Sequence, residues 1–78
     1  MTLEVNGARA LEFATGVMLQ FDGDPPTTNK VNIMTGGYED YPTQLLVRID
    51  EDLDQAQAQQ LIARGTNMGL DVIETADP

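Results

Sequence analysis

An α+β fold, with a mixed and mostly antiparallel sheet of five to six strands and one helix packed on one face, follows from three observations. Apolar residues alternate through the first 22 positions, one long amphipathic segment follows near residue 50, and short apolar runs lie on either side of it. Residues 1–78 are read as a single domain, because a chain of this length buries only about 60% of its unfolded surface and cannot support two cores.

The alternation comes first. Leu3, Val5, Leu11, Phe13, Val17, Leu19 and Phe21 are all odd-numbered, which predicts strands with one buried face. Asn6-Gly7 and Thr15-Gly16 divide the stretch. A two-residue Asn6-Gly7 turn would send Leu11 and Phe13 to the wrong face. Three-residue loops at Asn6-Gly7-Ala8 and Ala14-Thr15-Gly16 pair Leu3 with Leu11 and Phe13 with Val17, giving a three-stranded meander. A helix over residues 8–19 is the competing reading. Its apolar residues would scatter around the axis, and Thr15, Gly16 and Val17 are poor helix formers.

Asp22-Gly23-Asp24-Pro25-Pro26-Thr27-Thr28-Asn29 predicts a loop, since tandem prolines lack donors. Val31 and Ile33 mark a short strand, and residues 36–42 a second loop. Residues 44–49 form an apolar run expected to be a central strand with both faces covered. Residues 50–68 read as the one helix, capped by Asp50 or Asp52, with Glu51, Asp52 and Asp54 at the positive end of its dipole. Leu53, Ala58, Leu61, Ile62 and Met68 supply a loose apolar face. Gly69 suits the C′ position, and residues 70–75 make a closing strand. If the last two strands share a sheet, the strand-helix-strand order makes them parallel.

The chain has no Cys, no His and no Ser. Disulfides and thiolate metal sites are therefore excluded, and the thiol nucleophile, the imidazole base and the serine triad go together. Asp50-Glu51-Asp52-Leu53-Asp54 imitates the start of a calcium loop, but Gln55 stands where Gly is required and Leu61 where a bidentate Glu is required. Asp22-Gly23-Asp24 is explained by turn chemistry. Gly36-Gly37 lacks the Gly-Lys-Ser/Thr of a phosphate loop. The sequence predicts no enzymatic activity, no cofactor and no metal.

Thirteen acids against four bases give a net charge of −9. Residues 1–39 hold five acids and two bases (−3), and residues 40–78 hold eight and two (−6). Such a field repels nucleic acid and anionic lipid and attracts basic protein surfaces. There is no apolar run near the ~20 residues of a membrane span and no signal-like N-terminus, so a cytoplasmic location is expected, the host bacterial cytoplasm for a phage-encoded chain.

Two segments are candidate partner-binding surfaces. Tyr38, Glu39, Asp40 and Tyr41 place two aromatics around two acids in a loop between Gly37 and Pro42. Asp50, Glu51, Asp52 and Asp54 form an acidic row that could copy the charge spacing of a nucleic acid backbone, joined in space by Asp40, or by Asp71 and Glu74. Tyrosines capping the sheet edge and acids serving a helix dipole are the structural alternatives. The expected role is a small inhibitor or adaptor, anti-CRISPR-like or otherwise a nucleic-acid mimic, that binds a basic surface of a nucleic-acid-handling protein. A structural subunit that forms a homodimer or larger assembly through an exposed strand edge is the alternative, and a small-ligand regulatory domain a third.

Overall fold

The computed structural model describes residues 1–35 and 44–76. Six elements follow in order: β1 (Thr2–Asn6), α1 (Ala10–Asp22), β2 (Val31–Thr35), β3 (Gln44–Ile49), α2 (Gln55–Asn67) and β4 (Asp71–Thr75). The α+β class holds, but the described residues form four strands rather than five or six and two helices rather than one. The sheet order is β2-β3-β1-β4, and every neighbouring pair is antiparallel. The sheet is therefore not mixed. β3 and β4 do run the same way, as the crossover rule requires, but β1 lies between them. This order of elements and strands is that of the ferredoxin-like, doubly split β-α-β arrangement.

The N-terminal meander is not formed: residues 10–22 are helix. Ala10, Phe13, Ala14 and Val17 are buried at i, i+3, i+4 and i+7, and Met18 and Phe21 extend the same stripe half-buried. The two alanines complete the helical period, and their small side chains let the helix lie close on the sheet. Leu11 and Leu19, which complete the apparent alternation, are 50% and 45% exposed. Arg9 occupies the N-cap; its guanidinium donates to the Glu12 carboxylate but makes no capping hydrogen bond, so the usual polar start signal is missing. Asn6-Gly7 leads into the helix instead of turning a hairpin, and Thr15-Gly16 lies inside it.

β2 and β3 fall where the sequence places them. β3 is internal to the sheet, yet only one of its faces is covered. Leu45, Val47 and Ile49 are buried beneath the helices, while Gln44 and Leu46 are half-exposed and Arg48 is exposed on the other face. Leu3 and Val5 of β1, Val31 of β2 and Val72 of β4 complete the inner layer against Phe13, Val17 and Leu61. α2 approaches β4 at Gly65, where an added Cβ would collide with Val72 and lie 3.3 Å from the Phe13 ring. The helix end also agrees with the sequence: Gly69, at φ +82°, follows Met68, whose N–H closes the last turn.

Among the described residues no helix is long and apolar enough to cross a membrane.

Candidate functional site

The topology gives the molecule two unlike ends. β1 and β2 begin, and β3 and β4 finish, at the same end of the sheet, since Thr2 is paired with both Arg48 and Thr75, and Val31 with Ile49. The two linkers that reach this end are residues 23–30, between α1 and β2, and residues 50–54, between β3 and α2. Asp24, Asp50, Glu51, Asp52 and Asp54 are all exposed there.

These carboxylates have different duties. Asp54 is the N-cap of α2: its Oδ1 accepts from Gln57 N at 2.8 Å, and Gln57 Oε1 accepts from Asp54 N at 3.0 Å. That is a reciprocal capping box, with Gln in the partner position. The expectation of a cap at Asp50 or Asp52 is corrected, because the chain must first leave β3 and cross to the helix layer. Asp50 still follows the sheet, its N–H donating to Lys30 O at 2.7 Å. Glu51 meets Lys30 Nζ at 3.4 Å, a half-exposed pair worth little to stability. The Asp24, Asp50 and Asp52 side chains accept no hydrogen bond from the described residues. Three free carboxylates thus stand with one half-neutralised glutamate and one capping aspartate.

Asp22 lies just beneath this surface and behaves differently. It is 4% exposed and accepts from Lys30 N at 2.7 Å, Thr28 Oγ1 at 2.7 Å and Val31 N at 3.3 Å. Burial alone would push its carboxyl up. The Lys30 and Val31 amides, the Thr28 hydroxyl and the Lys30 charge outweigh that and hold it below its ordinary value. This carboxylate is fully used in fastening the loop to the start of β2. Among the described residues no three carboxylates converge into a cation-binding set.

The other expected members separate. Asp71 is paired with Asn6, at the opposite end of the sheet. Glu74 is exposed beside the acidic end, opposite Leu3. Tyr38, Glu39, Asp40 and Tyr41 lie outside the described residues. Asp24 joins the acidic end only through folding: 26 positions separate it from Asp50, and no local pattern links them.

A groove of about 260 Å³ runs between the helices, lined by Gln20, Phe21, Gln57, Gln60, Leu61 and Arg64. Arg64 lies 5.8 Å from the Phe13 ring centre and donates to Gln20 Oε1 at 2.9 Å, so its charge is held across the groove. The space is below the roughly 300–1,000 Å³ of typical ligand sites, and half of the residues lining it are glutamines.

Comparison with protein-family models, curated proteins and solved structures returns no match for the chain. The ferredoxin-like arrangement hosts unrelated functions, so the functional reading rests on the surface alone.

Proposed function

We propose that the chain is a non-enzymatic, acidic protein-binding domain that docks its acidic end on the basic, nucleic-acid-binding surface of another protein. The observation that carries this reading is the exposed Asp50-Glu51-Asp52 row at one end of the sheet, with Asp24 on a separate linker at the same end and Lys30 as the neighbouring base. Short linkers anchored to a sheet and a capped helix hold the charges in place, so little ordering is needed on binding. A partner that normally holds phosphates offers the complementary field, and the complex forms fast and weakens with salt. Inhibition of an effector that handles nucleic acid, in the manner of an anti-CRISPR protein, is the simplest consequence.

The test uses Asp50→Lys, Glu51→Lys and Asp52→Lys together, leaving Asp54 to cap α2. Wild type and variant are used in parallel for affinity capture from the source organism, at low and high salt. The reading expects a nucleic-acid-binding protein that is retained by the wild type, eluted by salt, displaced by duplex DNA or RNA, and lost at least tenfold with the variant. Retention unchanged by salt and by the three lysines sinks it.

A further inference from the structure

We propose that the edge of β2 that meets no strand among the described residues pairs with the β2 edge of a second copy of this chain, antiparallel, with Ile33 opposite Thr35 of the second copy and Met34 opposite Met34. The direction of each backbone group on β2 follows from the ladder. Lys30 turns its C=O toward β3, accepting from Asp50 N at 2.7 Å while its N–H donates to Asp22 Oδ1, and by alternation Asn32 and Met34 turn their N–H and C=O groups toward β3. Val31, Ile33 and Thr35 then turn theirs outward.

Of these three outward N–H groups one is already taken. The Val31 amide donates to Asp22 Oδ2 at 3.3 Å, so the last side chain of α1 stands where a neighbouring strand would otherwise begin. Ile33 and Thr35 have no partner for their outward groups among the described residues. This fixes the register. Centring the pair on Ile33 would bring Thr35 of the second copy onto Val31, which the carboxylate blocks. Centring it on Met34 matches Ile33 with Thr35 twice over and forms four hydrogen bonds.

The occupant is argued from charge and symmetry. Strands at sheet edges are normally protected by Pro or charged residues, and Val31-Asn32-Ile33-Met34-Thr35 has neither. The opposite edge, β4, carries Asp71 and Glu74. Two copies of a −9 chain repel one another over most approaches, but the β2 side holds two of the four bases, Lys30 at its start and Arg48 paired with Asn32. An isologous β2 contact closes at two copies and extends the sheet to eight strands. The backbone groups of Ile33 and Thr35 that form this pairing are not used by the acidic end.

The absence of cysteine makes the test clean. In this register Met34 forms a non-hydrogen-bonded pair with itself, about 4.5 Å between Cα atoms, within disulfide range. Light scattering across a concentration series is expected to rise toward twice the 8.5 kDa monomer mass at millimolar concentration. Met34→Cys is expected to crosslink rapidly on mild oxidation, well ahead of Ile73→Cys on the far strand. Thr35→Pro removes an outward N–H without touching the β2–β3 ladder. With its circular dichroism unchanged, it should weaken the dimer at least tenfold. Monomer mass throughout, preferential crosslinking through position 73, or a dimer unaffected by Thr35→Pro each overturns the proposal.

Discussion

Asp22 shows how one side chain ties three segments together. It closes α1, satisfies two backbone N–H groups at the start of β2 and fixes the Thr28 hydroxyl in the loop. Removing it leaves the buried Val31 amide and its neighbour without acceptors, so Asp22→Ala should cost about 3 kcal/mol in urea denaturation. A loss below ~1 kcal/mol would mean that water substitutes freely. The hydrogen bonds also lower the folded-state pKa, so the stabilisation is complete above the unfolded value of about 3.9 and is lost as pH falls through the folded value. Asp22→Asn has no charge to titrate. The stability difference between wild type and Asp22→Asn should be constant from neutral pH down to about 4 and shrink below it; a difference that widens in acid would contradict this account.

At the level of elements, what the sequence reveals depends on how redundant the signal is. β3, β2, Gly69 at the end of α2 and the closing strand were legible because apolar runs and turn residues agree there. α1 was not. Its stripe depends on Ala10 and Ala14, which are weak hydrophobic markers, while two surface leucines filled in a false period of two. Its N-terminus also lacks a capping side chain. Gly16 distinguishes the two structures directly. In a hairpin loop it would need a left-handed backbone, and alanine would be strained there. In α1 an added Cβ meets nothing within 4 Å, so Gly16→Ala should stabilise the protein by roughly 0.5–1 kcal/mol, read as a higher urea midpoint. A lower midpoint would argue against the helix. The capping box makes a parallel prediction for α2: Asp54→Ala should cost about 1 kcal/mol, and Asp52→Ala should stay within about 0.5 kcal/mol of wild type. Equal losses at the two positions would remove the distinction between a structural and a free acid.

Across the whole molecule, the acidic row at residues 50–54 was visible in the chain, but its division of labour was not. Which acid caps α2 depends on where the backbone leaves the sheet, and the approach of Asp24 depends on the strand order. The same arrangement has an energetic consequence. The fold brings Asp24 to the same end of the sheet as Asp50 and Asp52, where Lys30 is the neighbouring base, so the native state of this −9 chain carries a self-repulsion that salt should relieve. Raising sodium chloride from about 0.02 to about 0.5 M shortens the screening length from about 20 Å to about 4 Å. The urea midpoint should therefore rise with salt. Replacing Asp50 and Asp52 together by Asn should raise the low-salt midpoint and flatten the salt dependence, because the cap at Asp54 and the loop fastening at Asp22 remain. Should the midpoint not respond to salt, or the double variant keep the wild-type slope, the acidic end is too well solvated to strain the fold. Its charges would then be spaced widely enough that a rigid electrostatic match to a basic partner loses its physical basis.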